Sequence, residues 1–204
     1  EPSQQKSQPA AISPDSLSGH LIVAPRVGLL KPMGSYESGF SQSDYNGTGP
    51  AFGADISLGI SRYVAVHGYV ETAVLASNGG SCPSGADCKA RTTSFGLGLE
   101  YHLVNGASFD PWMRWGVGYR ITNLDYSWSG YSEKLDYKGM DWLHLAVGGD
   151  FYASRKLGFG PYLSFDFGYY NSRPDSVRPH AQVVEGEFHS FFGVGVRGVF
   201  DPMR

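Results

Sequence analysis

The chain is poor in charge. Charged residues fill 17% of its 204 positions, and only six are lysine: Lys6, Lys31, Lys89, Lys134, Lys138 and Lys156. A helical bundle clothes its surface in Glu and Lys, so this composition disfavours one. The net charge of −3 leaves no broad basic patch and argues against a nucleic-acid partner. No run of about 18 apolar residues occurs, which excludes a transmembrane helix. It does not exclude a membrane, because a barrel strand crosses in about 9–11 residues of alternating pattern. The chain opens at Glu1 without Met or an apolar targeting stretch, so any signal peptide is taken as removed, and without Cys, so an N-terminal lipid anchor is unsupported.

Cysteine is scarce too. Cys82 and Cys88 stand six apart, and zinc would need about four ligands where no His or second Cys pair lies nearby. A disulfide in an oxidising compartment is the expected state, with free thiols the alternative. Such a small ring would contribute perhaps 2–3 kcal/mol to the loop.

What the chain has is glycine, 28 residues, and aromatic rings at 14%. Three stretches place Gly-x-Gly between large apolar residues: Phe95–Leu99, Trp115–Tyr119 and Phe192–Val196. Such alternation is a strand signature, because side chains point to opposite faces with a period of two. Residues 1–19, rich in Pro, Ser and Gln, read as a disordered periplasmic lead-in. Eight alternating segments follow, at about 20–32, 49–61, 63–76, 91–103, 111–123, 141–153, 159–171 and 187–200. One face of each is apolar, as with Phe52, Ile56, Leu58 and Ile60, and the other carries Gly, Asp, Arg and Ser.

Connections alternate in length. Short ones lie near Arg62, Asn105-Gly106 and Ser154-Arg155-Lys156, and long ones at roughly 33–48, 77–90, 124–140 and 172–186. An even strand number with short turns at one end and long loops at the other is the layout of outer-membrane barrels. A soluble barrel of lipocalin type would reverse the faces, with an apolar lumen. Three features favour lipid outside. No lysine sits on a strand's polar face. Glycine clusters on that face, where a tight interior makes room for large neighbours. Aromatic residues on the apolar face recur towards strand ends: Phe52, Tyr101, Phe151, Phe159, Tyr169, Phe188 and Phe200.

Over about residues 20–200 the chain resembles the small eight-stranded outer-membrane barrels of Gram-negative bacteria, the OmpX, OmpW and OmpA membrane-domain group. Its sharpest likeness is Gly193–Phe200, similar to the closing strand those barrels present to their insertion machinery. The departure is the tail 201–204, since the family's aromatic is usually final. The resemblance implies an all-β, eight-stranded antiparallel up-and-down transmembrane barrel in the bacterial outer membrane, with periplasmic termini.

The expected inward charges are Arg26, Arg114, Arg120 and Arg197 against Asp55, Glu71, Glu100, Asp150 and Asp166, with His67 among them. Eight strands leave a lumen just wide enough for side chains, so these read as a charge-paired plug. A narrow channel for small solutes is the alternative. The row His67, Tyr69, Glu71 is suited to acid–base chemistry by type but belongs more simply to the plug. His67, His102, His144 and His189 would hold a metal only if strand register gathered three of them. Gly193–Gly198 spells a dinucleotide fingerprint, which requires a following helix that a strand reading denies. His189-Ser190 invites comparison with lipid A-modifying barrels, but the two point to opposite faces and cannot share a proton. We therefore expect no enzyme, cofactor or metal. The long loops carry Tyr126, Trp128, Tyr131 and Tyr137, which suit contact with a protein or glycan. Leu124–Trp128 and Leu135–Tyr137 could pair there as a protruding hairpin. The expected role is a structural or interaction barrel at the cell surface, bounded by outer-membrane lipid, as a monomer or as part of a larger envelope complex.

Overall fold

The computed structural model describes residues 16–37, 39–77, 87–104, 108–128, 131–172 and 186–204. Period-two patterning and abundant β-branched and aromatic residues make these segments strands. In chain order they are β1 (Leu21–Glu37), β2 (Phe40–Ser41), β3 (Gly49–Gly59), β4 (Val64–Leu75), β5 (Asp87–His102), β6 (Phe109–Trp128), β7 (Tyr131–Tyr152), β8 (Leu157–Ser172) and β9 (Phe188–Phe200). One helical turn, α1 (Gln42–Tyr45), sits between β2 and β3. The eight long strands, β1 and β3 to β9, pair antiparallel in sequence order, and β9 returns to pair with β1 from Val23↔Phe200 to Gly34↔His189. The result is a closed up-and-down barrel, which leaves no long strand with a free edge.

The faces follow the alternation. Val27, Ile56, Val70, Leu97, Val117, Leu145, Leu163 and Val194 stand outside, Leu97 with 67% of its surface exposed. The inward positions hold the arginines, carboxylates and histidines, all buried. Glycine on the inner face makes room for rings. A Cβ on Gly96 would stand 2.7 Å from Tyr69 Cε1, and one on Gly98 2.7 Å from His67 Cε1.

Strict alternation breaks at one place that matters. Between Asp141 and Leu143 the pairing of β7 with β8 shifts register, opposite a shift between Gly116 and Gly118 of β6. Trp142 and Leu143 both face outward, and Asp141 turns inside together with His144. Counting back by twos from Leu143 puts Asp141 on the wrong face.

The strands also outrun their expected spans. Residues 124–140, expected as a long loop with a protruding hairpin, are mostly strand, and the hairpin is there: Leu124↔Leu135 and Asp125↔Lys134 extend the β6–β7 ladder to Trp128↔Tyr131. At the opposite end the chain closes on itself. Leu17 packs with Ile22, Ala24 and Val199 under the barrel, and Gly19 N donates to Gly59 O at 2.8 Å. The tail folds back as well: Asp201 N donates to Lys156 O at 2.9 Å, and the guanidinium of Arg204 lies 3.5 Å from the Tyr152 ring centroid.

Candidate functional site

The lumen holds two ion-pair clusters stacked along the barrel. Nearer the short-turn end, Arg26 from β1 meets Asp55 of β3 at 3.1 Å and Glu71 of β4 at 3.3 Å. Asp55 also takes Arg114 of β6 at 2.7 Å, and Arg114 reaches Glu100 of β5 at 2.5 Å. Arg197 of β9 bridges Glu100 at 3.3 Å and Asp150 of β7 at 2.5 Å. The Trp112 ring lies against both guanidinium groups, 4.7 Å from Arg114 and 3.7 Å from Arg197. Side chains from seven strands thus form one continuous chain of opposite charges.

The second cluster centres on Arg120 of β6. It meets Asp141 at 2.9 Å and Asp166 of β8 at 2.7 Å. Each carboxylate carries a histidine behind it, His189 on Asp141 at 2.6 Å and His144 on Asp166 at 2.5 Å. Tyr69 stacks on His144 with ring centroids 4.2 Å apart, and Phe191 lies 4.0 Å from the Arg120 guanidinium.

Apolar layers cap the charges. Towards the long-loop end, Tyr36 stacks on Tyr137 and on Tyr170, among Leu30, Leu75, Leu124, Leu135 and Phe191. Tyr170 shares a 2.8 Å hydrogen bond with Thr122. Asn46 Nδ2 donates to the Tyr36 hydroxyl, and Gly47 N to Ala76 O at 2.7 Å, which ties the α1 segment to the end of β4.

All ten side chains expected in the lumen are buried: Arg26, Asp55, His67, Glu71, Glu100, Arg114, Arg120, Asp150, Asp166 and Arg197. The expected near-balance of four positive against five negative charges needs correction. Asp110, Asp141 and Asp201 are buried too, so eight buried carboxylates face four buried arginines, with Arg204 of the tail a fifth cation 3.8 Å from Asp110. Each of the three added carboxylates is bonded by a histidine: Asp110 by His102 at 2.9 Å, Asp141 by His189 at 2.6 Å and Asp201 by His20 at 2.7 Å. Asp110 and Trp112 were legible by counting back four and two from Arg114; Asp141 was hidden by the bulge.

The row His67, Tyr69, Glu71 does not act as a unit. Glu71 goes to Arg26 and Tyr69 stacks on His144, while the His67 ring only flanks those of Tyr69 and His144, at 6.1 and 6.4 Å. Among the described residues no group of three or more His, Cys, Asp or Glu is arranged to hold a metal. His189 is buried in the lumen, while Ser190 sits on the outer side of β9. Tyr137, expected on an exposed loop, is 1% exposed, because the extended β7 carries it back inside the barrel mouth. Tyr126, Trp128 and Tyr131 stand at the tip of the β6–β7 ladder, and their side chains lie outside the described residues. Cys88 is in β5, opposite Tyr126; Cys82, and with it the expected Cys82–Cys88 bond, lies outside the described residues.

No family model matches the chain, and no curated protein is similar to it in sequence. Solved structures share its fold. The outer membrane protein OprG of Pseudomonas aeruginosa superposes with a TM-score of 0.58 at 16% identity, over 91% of this chain and 99% of OprG. Ail, the attachment invasion locus protein of Yersinia pestis, gives 0.53 at 11%, over 90% and 99%. Neisserial surface protein A gives 0.51 at 12%, over 87% and 95%. At these identities the likeness is one of fold: the small eight-stranded outer-membrane barrel.

Proposed function

We propose that this chain is an integral outer-membrane barrel whose lumen is plugged by paired charges, and that it works as a structural or interaction protein through its long-loop end. The observation that carries the plug is the unbroken run Glu71–Arg26–Asp55–Arg114–Glu100–Arg197–Asp150, every member at most 5% exposed. Charges persist in such an interior only when paired, and rearranging them to pass a solute would strand several at once. The capping layers of Tyr36, Tyr137 and Tyr170 above and Leu17 and Tyr152 below support the same reading.

The outer wall supports the membrane. Along β6 the outward face is apolar from Phe109 to Tyr119. Ten residue steps of ~3.3 Å on a strand tilted by ~40° span about 25 Å, the height of an outer-membrane barrel's apolar band. With the long loops outside the cell, both termini are periplasmic. The loop between β4 and β5 is stapled by a Cys82–Cys88 disulfide, which thiol titration of the denatured protein tests: two reactive thiols before reduction overturn it.

Planar-bilayer recording tests the plug. The purified barrel inserts without steady conductance, and a stable single-channel current replaces the plug with a narrow solute channel.

A further inference from the structure

His67 is the odd member of the lumen. Its side chain is fully buried, yet neither ring nitrogen has a hydrogen-bond partner among the described residues. The other lumen histidines each lean on a carboxylate: His102 on Glu100 and Asp110, His144 on Asp166, His189 on Asp141. Tyr69 Oη, His144 Nε2 and Ser164 Oγ, at nearby inward positions, also lack a partner. Buried polar atoms are rarely left so, and a group of them marks a place for water or for function.

The register shows what this place joins. His67↔Gly98, Gly98↔Gly116 and Gly116↔His144 set the two histidines on one level, with two bare glycines between them. Arg114 stands two positions from Gly116 towards the short turns, and Arg120 four positions towards the long loops. The level is therefore the seam between the two ion-pair clusters. Above it, His144 holds Asp166 at 2.5 Å, Asp166 and Asp141 share Arg120 Nη2 at 2.7 and 2.9 Å, and His189 holds Asp141 at 2.6 Å. Below it, Glu100 stands two residues beyond Gly98, with His102 at 2.8 Å and Asp110 behind that at 2.9 Å. The His67 and His144 ring centroids are 6.4 Å apart. Two ring nitrogens bridged by one water lie roughly 4–5 Å apart, which that separation accommodates. The charged groups facing His67 are Arg114 of β6, Glu100 of β5, Asp55 of β3 and His144 of β7.

The lumen also holds labile protons. Its carboxylates outnumber the guanidinium groups, Arg204 included, and the histidines on Asp110, Asp141 and Asp201 make up the difference. A surplus anion in such an interior keeps a proton, on itself or on its partner. Chains of Asp, Glu and His within a membrane are the usual material of proton relays. We propose that the plugged lumen passes protons while excluding other ions, with His67 and bridging water as the link between the two clusters. A proton arrives on one ring nitrogen of His67, the proton on the other leaves for the next acceptor, and the ring ends neutral in its other tautomer. Rotation about Cβ–Cγ resets it, and nothing is consumed. The relay rests on the membrane and plug readings above.

The test uses the whole chain in phospholipid vesicles that hold a pH dye, with valinomycin and potassium to balance charge. A chloride-sensitive dye in parallel vesicles reads ion leakage, and the heat-induced gel shift checks that the barrel is intact. After an external acid step, protons are expected to enter at least about tenfold faster than into protein-free vesicles, without chloride. His67→Phe keeps a ring against Gly98 and removes both nitrogens; proton entry is expected to return to the protein-free rate. His67→Gln, smaller and unable to pass a proton between two ring nitrogens, is expected to lose it as well, and it carries the test where the Phe variant does not fold. Wild-type entry at the protein-free rate overturns the relay. So does unchanged entry in a folded His67 variant. Chloride entering with the protons overturns the plug reading instead, so the two failures are distinguishable.

Discussion

Arg114 Nη1 lies 2.7 Å from Asp55 Oδ2, and this one bond joins β6 to β3 across the width of the lumen. The same guanidinium holds Glu100 through Nε at 2.5 Å. Arg114 is therefore the cation on which two buried carboxylates from two other strands depend. Arg114→Ala leaves Asp55 sharing Arg26 with Glu71, and Glu100 with His102 at 2.8 Å and a share of Arg197 with Asp150. Breaking a buried pair on one side costs about 3–5 kcal/mol. The temperature at which the detergent-solubilised barrel loses its compact gel mobility is expected to fall sharply. An unchanged temperature would mean that water, not Arg114, already satisfies those carboxylates.

The inward glycines are expected to resist enlargement. A Cβ on Gly96 or Gly98 meets the Tyr69 or His67 ring at 2.7 Å, with the backbone of β6 on its other side. Gly98→Val forces the His67 ring towards the ion pairs and is expected to cost about 1–3 kcal/mol. Ser190→Val, on the outer side of β9, serves as the control, with little effect in the same denaturant titration.

These two sites also show how much the chain discloses before it folds. The faces of β3, β5, β6 and β9 were legible from alternation alone, because a closed wall with one oily side leaves each residue a choice of two directions. The ten lumen side chains followed from that choice. Their partners did not, because Arg114–Asp55 and Arg197–Glu100 join residues 59 and 97 positions apart, and register across several strands sets those distances. Asp141 was lost to a bulge, which inverts the face of everything counted across it. The 124–140 segment was legible in part: Leu124–Trp128 pairs back on the 131–135 stretch as the hairpin expected there, while Asp, Ser and Lys read as loop because a ladder above the apolar band needs no oily face.

The two ends of the chain are expected to support each other. His20 Nδ1 lies 2.7 Å from the buried Asp201 Oδ2, which joins the entry of β1 to the segment just after β9. In a double-mutant cycle of His20→Ala and Asp201→Ala, the two losses of stability are expected to be non-additive by about 0.5–3 kcal/mol. Additive losses would show that the tail is held by Asp201 N on Lys156 O and by Arg204 on Tyr152, with His20 a bystander.

The direction of the wall can be tested at one residue. Leu97 is the middle outward position of β5, between Phe95 and Leu99, and its side chain touches water or lipid and little else. On a soluble barrel, Leu97→Arg replaces an exposed apolar group with a solvated charge and changes stability within about ±0.5 kcal/mol. In a bilayer the same change places a guanidinium near the midplane and costs about 2–4 kcal/mol, falling towards zero at the interface. Lys134→Arg, far above the band, should cost almost nothing in either medium. Folding into phospholipid vesicles, followed by denaturant titration of both variants, separates the cases. A large penalty at Leu97 with none at Lys134 fixes the wall in lipid. Equal, negligible effects would turn the barrel inside out, with its charged interior then a ligand cavity of a soluble protein.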